Sequence, residues 1–257
     1  MSQTNSEKKM THFGYIRIPE NEKMGRVRNH FNNVAHRYDF MNSVLSFGIH
    51  HLWKRSAVKM LALKKGDRVI DVCGGTGDLS LLAARIVRSS GRVMLYDINW
   101  SMIKKGRSKI TVSHRGDCIS IIQGDAESIS FQDACFDAAM VGFGIRNLTN
   151  MEAGFSEMYR ILKPGGRLMC LEFSKPTAPL FSWLYDFYSF HIMPLLGWLF
   201  VGARKAYTYL PESIRMFHSP DEITAILKQI GFDMVFHRRL TNGIAVIHVA
   251  IKGGSQK

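Results

Sequence analysis

The sequence predicts an α/β protein, a mostly parallel sheet with helices on both faces, built as one large domain after an amino-terminal arm. Three observations predict it. From about residue 67 to residue 173, short apolar, β-branched runs alternate with stretches of helical periodicity, the signature of strand–helix–strand units around a parallel sheet. The first run, Val69, Ile70 and Val72, is stopped by Gly74, Gly75 and Gly77 just before the helical pattern of Leu79, Leu81, Leu82, Ile86 and Val87. Carboxylates or glycine turns then follow the later strands at their carboxyl ends, where open sheets of this class place their ligands.

Residues 1–24 are polar, of mixed charge, and contain Pro19, so a flexible arm is expected there. Its Thr11-His-Phe-Gly-Tyr15 cluster offers aromatic rings for docking on the body or on a ligand. The main domain then runs over residues 25–257. Within Arg26–Tyr38, Val27, Phe31, Val34, Ala35 and Tyr38 share one helical face. The block from Tyr38 to Trp53 is dense in Tyr, Asp, Asn, Ser and His, and a further helix reaches about Leu61. Residues 25–62 therefore read as a helical lid over the strand tips, with plain packing of extra helices on the sheet as the alternative. His50 and His51 have no matched acid or third ligand nearby in sequence, so no metal site is expected.

Strands follow at about Asp67–Val72, Arg92–Tyr96, Cys118–Gln123, Phe136–Val141 and Arg167–Phe173. The helices between them fall at about Asp78–Arg88, Ser101–Val112 and Asn150–Leu162. The last of these ends at Lys163-Pro-Gly-Gly166, a firm stop for a helix. Ser219-Pro-Asp-Glu222 opens another helix, which ends at Gly231. Met234–Leu240 and Gly243–Ile251, joined at Thr241-Asn-Gly243, read as a hairpin.

Between the sheet and this last helix lies a greasy stretch, Ala178–Val201, rich in Phe, Trp, Tyr and Leu. It is long enough to cross a bilayer, but Pro179, Asp186, His191 and Pro194 interrupt it. Residues 178–210 are better read as an inserted apolar helical segment, facing a membrane surface or an apolar substrate; a helix buried between strands is the competing reading. Arg204 and Lys205, just after the greasy run, are placed to meet lipid headgroups.

The chain carries 34 Lys and Arg against 21 Asp and Glu, a formal charge of +13. A basic surface attracts nucleic acid or anionic lipid. No recognisable RNA-binding module is present, and the Asn-Pro-Pro-Tyr run of base-amino methylation is absent, so a nucleic-acid partner is not expected. Cys73, Cys118, Cys135 and Cys170 form no Cys-x-x-Cys pair and sit in or beside strands. They read as small buried residues of a reducing compartment. No apolar signal core follows Met1, so a cytoplasmic location is expected.

The chemistry-bearing pattern is the glycine loop with two acids. Glycine allows backbone to approach a ligand closely, although Ser80 replaces the third glycine of the strict dinucleotide fingerprint. Asp97 ends the second strand twenty residues after Gly77, the spacing of a ribose-binding acid. Asp125 follows the third strand and is in reach of an adenine amino group. In this order the three resemble S-adenosylmethionine-dependent methyltransferases.

Two longer stretches are more specific. Tyr38-Asp-x-Met-Asn-x-x-Leu-Ser-x-x-x-His-x-x-Trp53 resembles the first signature of the ubiquinone/menaquinone biosynthesis C-methyltransferases (UbiE/MenG type), and Arg160-Ile-Leu-Lys-Pro-Gly-Gly-Arg-Leu-Met-Cys-Leu-Glu-Phe-Ser174 resembles the second. Phe143-Gly-Ile-Arg-Asn147 is similar to that family's loop after strand four, and Thr11-His-Phe-Gly14 to its amino-terminal arm. The likeness runs from about Thr11 to Lys252. It implies the class I S-adenosylmethionine-dependent methyltransferase fold, with a seven-stranded sheet. It also implies transfer of a methyl group to a ring carbon of a polyprenylated quinol: demethylmenaquinol, 2-polyprenyl-6-methoxy-1,4-benzoquinol, or both.

The resemblance implies cofactor binding by Asp71, Gly74, Gly75, Thr76, Gly77, Asp97, Asp125, Ala126 and Gly142, the last standing where the family commonly has a serine. Arg146, oriented by Asn147, is the candidate for steadying the quinolate oxyanion. Tyr38 and His50 are candidates for ring contact or proton acceptance. A bilayer-resident tail further implies work at the inner face of the cytoplasmic membrane, on anionic lipid, with a homodimer or a quinone-biosynthesis assembly left open. The rival is a non-catalytic scaffold that keeps the cofactor fold, against which the intact Gly74–Gly77, Asp97 and Asp125 speak.

Overall fold

A computed structural model describes residues 9–113, 116–202 and 204–254. The chain first makes a hairpin of β1 (Met10–Phe13) and β2 (Ile16–Pro19), then α1 (Glu20–Val34), α2 (Tyr38–Leu45) and α3 (Ile49–Leu61). A flexible arm expected through residue 24 is thus corrected: from Met10 the backbone is paired, and β2 leads directly into α1. The rest of that expected arm, residues 1–8, lies outside the described residues.

The alternating segment follows: β3 (Arg68–Val72), α4 (Asp78–Val87), β4 (Arg92–Asp97), α5 (Trp100–Val112), β5 (Ile119–Gln123), β6 (Phe136–Gly142), α6 (Met151–Ile161) and β7 (Leu162–Phe173). After β7 come α7 (Pro179–Phe187), α8 (Met193–Val201), α9 (Arg204–Arg215), α10 (Pro220–Ile230), β8 (Phe232–Leu240) and β9 (Ala245–Lys252).

The sheet has seven strands in the order β5-β4-β3-β6-β7-β9-β8. Strands β3 to β7 are parallel, and β9 is antiparallel to both β7 and β8. The chain builds outward from β3 to β5, then returns to β6 on the other side of β3. Strand order therefore reverses between β3 and β6, and a crevice opens at their carboxyl ends.

Pleat alternation divides the core into two layers. Val69 of β3 packs with Leu79 and Ala83 of α4 and Ala57 and Leu61 of α3. Ile70 and Val72 turn to the opposite layer, with Phe155 and Met158 of α6 and Leu227 of α10. Each large side chain fully removed from water there contributes about 1.5–3 kcal/mol. Helix α10 starts at a capping box: Ser219 Oγ accepts the Glu222 N–H, and the Glu222 carboxylate accepts the Ser219 N–H at 2.6 Å. The Lys163-Pro-Gly-Gly166 stop ends α6, but the backbone continues through it as part of β7, with a register shift against β6 between Phe136 and Ala138.

The greasy stretch forms α7 and α8, joined by a π-helical turn at Tyr188–Ile192. It is not buried between strands. No residue of α7 is buried, and Trp183, Phe187, Leu195, Trp198 and Leu199 are all more than half exposed. No described helix is long and apolar enough to cross a membrane. The side chains of Arg204 and Lys205, expected to meet headgroups, lie outside the described residues.

Candidate active site

The glycine turn after β3 wraps a cavity of about 110 Å³ at the switch point. Its wall takes Gly74, Gly75 and Thr76 from the turn, Asp97 from the tip of β4, Asp125 and Ala126 after β5, and Gly142 and Asn147 after β6. Nearly every residue expected to bind cofactor is gathered here although they come from four strand tips. Gly77 is the exception: it is not among the lining residues. It sits at φ 80° as the N-cap of α4, and a Cβ there would come within 2.9 Å of Leu95 Cδ1. Its work is to let α4 turn and pack on β4.

Asp97 is held by backbone donors, the Gly75 N–H at 2.8 Å and the Asn99 N–H at 2.7 Å. Burial nevertheless pushes its carboxyl up to about 6, those N–H groups opposing the rise. Asp71 lies beneath the turn, fully buried, accepting from Ser80 Oγ at 2.6 Å. Burial pushes it up to about 7, and its second oxygen has no hydrogen-bond partner among the described residues. Asp125 accepts the Glu127 N–H at 2.9 Å.

A group of charges that local sequence patterns do not reveal ties α2 and α3 to this turn. Thr76 Oγ1 donates to Asp39 of α2 at 2.6 Å. Lys109 of α5 bridges Asp39 at 2.7 Å and Asp78, while Lys54 of α3 reaches Asp78 at 2.6 Å. Burial would raise the Asp78 carboxyl, but the two ammonium groups outweigh it and hold it well below the usual range. The fold also brings Asp78 beside His50 and His51, their donor atoms within 4.8 Å of one another. The sequence showed no acid for that pair; the one supplied in space is already engaged by Lys54 and Lys109, which oppose a cation.

A second cavity, of about 330 Å³, adjoins the first; Phe31, Tyr38, Lys54 and Phe143 line both. Its walls are mostly apolar and come from α1–α3, the strand tips and the α7–α9 segment, Tyr185, Tyr188, Met193 and Tyr209 among them. Tyr38, His50 and Arg146 all reach it. Burial raises the Tyr38 phenol, so it stays protonated and is a hydrogen-bond donor rather than a base. His50 is buried, with Nε2 at 3.1 Å from Ser43 Oγ. Burial, with Lys54 nearby, lowers it to about 4, so its imidazole is neutral.

Arg146 is placed differently from expectation. Its partner is Glu172 of β7, at 2.5 Å, with the Phe143 carbonyl at 2.8 Å, and both side chains of the pair are buried. Burial raises the Glu172 carboxyl against the pull of Arg146. The guanidinium also stands over the Phe173 ring, 5.3 Å from its centroid. Asn147, expected to orient Arg146, instead accepts the Tyr209 hydroxyl at 2.9 Å. Glu172 does the orienting; it came within the second signature but carried no separate signal in the sequence.

The donor set fits S-adenosylmethionine: acids at the tips of β4 and after β5, a turn whose backbone is open to a ligand, and an unpartnered buried carboxylate oxygen below it. The profile of the ubiE/COQ5 methyltransferase family matches residues 19–252. The chain is 45% identical over 242 residues to the ubiquinone/menaquinone biosynthesis C-methyltransferase UbiE of Pseudomonas paraeruginosa, covering 94% of each protein, and 44% identical over the same share to that of Stutzerimonas stutzeri. Among solved structures it resembles a Thermotoga maritima S-adenosylmethionine-dependent methyltransferase with a TM-score of 0.61 at 19% identity, covering 88% of this chain and 99% of that one. A similar protein from Methanococcus maripaludis gives 0.60 at 20% identity, covering 88% and 94%.

Proposed function

The chain belongs to the ubiE/COQ5 methyltransferase family and is an S-adenosylmethionine-dependent C-methyltransferase, and from that premise we propose that it methylates a ring carbon of a polyprenylated quinol in menaquinone or ubiquinone synthesis. The observation that supports this most is the pair of adjoining cavities, one at the strand tips with the acids Asp97 and Asp125 in its wall and a larger, more apolar one sharing Tyr38 and Phe143 with it. A planar aromatic head and an isoprenoid tail need such an apolar slot beside the donor site.

The bound cofactor supplies an electrophilic sulfonium methyl. The chain's residues must position the ring and raise its carbon's nucleophilicity. Arg146, a cationic group on the acceptor cavity, favours loss of a ring-hydroxyl proton and steadies the oxyanion, while the other, Lys54, is paired with Asp78. Tyr38 donates a hydrogen bond or packs on the ring. His50, uncharged and lowered to about 4, is a weak base; it can accept a hydrogen bond from a ring hydroxyl, and it is the candidate for passing that proton on rather than holding it. The aromatic lining excludes water, which strengthens each of these interactions.

The reading extends to place. The exposed Trp183, Phe187, Trp198 and Leu199 leave apolar surface on α7 and α8, and with the net charge of +13 this suits peripheral attachment to anionic lipid at the inner face of the cytoplasmic membrane. Lipid extracts of cells lacking the protein test the activity. Mass analysis is expected to show a desmethyl quinone accumulating; an unchanged quinone profile would overturn the proposal.

A further inference from the structure

The β1–β2 hairpin is built against α9. Its turn residue Gly14 has φ 60°, and a Cβ there would lie 2.3 Å from Glu212 Oε2. The next residue, Tyr15, donates its N–H to the same oxygen at 3.3 Å. The left-handed φ favours glycine in this turn, and Glu212 Cβ, 3.2 Å from where a Cβ would stand, leaves little room for one. That seating lays Phe13 on Tyr209, the rings stacked with centroids 4.2 Å apart and an 18° interplanar angle. Tyr209 is 6% exposed and lines the larger, apolar cavity. Its hydroxyl donates to Asn147 Oδ1 at 2.9 Å. Asn147 lines the smaller cavity; it is 8% exposed, and its Nδ2 has no hydrogen-bond partner among the described residues. Three side chains thus connect a surface hairpin to the boundary between the two cavities.

We propose that the hairpin is a strap and Phe13 a positioning residue for methyl transfer, holding Tyr209 so that Asn147, at the boundary of the two cavities, presents its free amide N–H to an oxygen of the bound acceptor ring. The inference rests on the activity proposed above. A buried amide donor left without a partner costs about 1–3 kcal/mol, a cost that a ligand oxygen relieves. The strap acts on alignment, so its loss shows in turnover rather than in binding of the donor.

The test uses the full chain, S-adenosylmethionine and a short-chain reduced desmethyl prenylquinone. Phe13→Ala is expected to lower kcat by about ten- to a hundredfold, the scale of a misplacement near 1 Å, with donor affinity unchanged. Tyr209→Phe keeps the stacked ring and loses only the hydroxyl; its kcat falls similarly. The double variant is no slower than the worse single one, because both break the same chain of contacts. Phe13→Trp, which restores a stacking ring, recovers turnover, as a general loss of stability would not.

A second readout needs no turnover. The side-chain amide resonances of Asn147, identified with Asn147→Asp, shift in Phe13→Ala as in Tyr209→Phe and stay near their wild-type positions in Phe13→Trp. Wild-type protein inactive on quinols would refute the activity, while the amide shifts would still decide the strap. Unmoved amide resonances in Phe13→Ala, wild-type kcat in that variant, or additive losses in the double variant would overturn the strap.

Discussion

Arg146 is the residue at which structure and chemistry bear most heavily on each other. It reaches the larger, apolar cavity while neutralising the buried Glu172. Truncating one partner of a buried pair leaves the other charge uncompensated, at about 3–5 kcal/mol. Arg146→Ala is therefore expected to lower the melting temperature as well as turnover, by about a hundredfold or more if its oxyanion contact operates. Adding Glu172→Gln removes the orphaned charge, so stability recovers and turnover does not. Turnover that recovers along with stability would leave Arg146 a purely structural role.

Asp97 gives a pH signature. In its proposed role it accepts both hydroxyls of a ribose diol, which an ionised carboxylate does best, and burial has raised it to about 6. Protonation competes with the ligand below that value, so the donor's Kd is expected to rise by about tenfold per pH unit as pH falls through the range under 6. Calorimetric titration between pH 5 and 8 checks this, and a flat profile would remove Asp97 from ribose binding. Asp97 and Asp125 were legible in the sequence because each depends on a strand ending in an acid, a local pattern. Asp39, Lys54 and Lys109 were not, since their meeting at Thr76 and Asp78 joins segments up to 70 residues apart.

At the scale of elements, α7 and α8 carry the exposed aromatic residues Trp183, Phe187 and Trp198. Replacing Trp183 and Trp198 by Ser is expected to leave the melting temperature nearly unchanged, since exposed substitutions cost within about 0.5 kcal/mol. The same change should weaken flotation with anionic liposomes; undiminished, salt-insensitive flotation would place lipid contact elsewhere. At α10 the capping box makes a separate prediction: Ser219→Ala should cost about 1 kcal/mol of unfolding free energy in a urea titration. That helix start was readable from Ser219-Pro-Asp-Glu222 alone. The β1–β2 hairpin was not. Its short strands are half exposed, and it is fixed by Glu212 and Tyr209, some 200 residues away. Strand β7 shows the intermediate case: its apolar run was plain, but pairing with β6 extended it back through the Pro-Gly-Gly stop.

For the whole molecule, the seven strands of the main sheet follow from the alternation of short apolar runs with helical segments, while their order and the switch point come from how the fold pairs them. The cofactor cavity inherits that regularity. The acceptor cavity does not, because α2, α3, α7 and α9 enclose it by packing that no single stretch encodes. The family signatures at Tyr38–Trp53 and Arg160–Ser174 carried the functional reading, and the match over residues 19–252 bears it out. The most direct measurement is methyl transfer from isotope-labelled S-adenosylmethionine to reduced desmethyl prenylquinones, with the product located by mass spectrometry. The adjoining cavities predict label on a ring carbon of the prenylated quinol, and little on a head group without its tail. Donor binding without any labelled quinol, or label on a ring oxygen, would contradict the account.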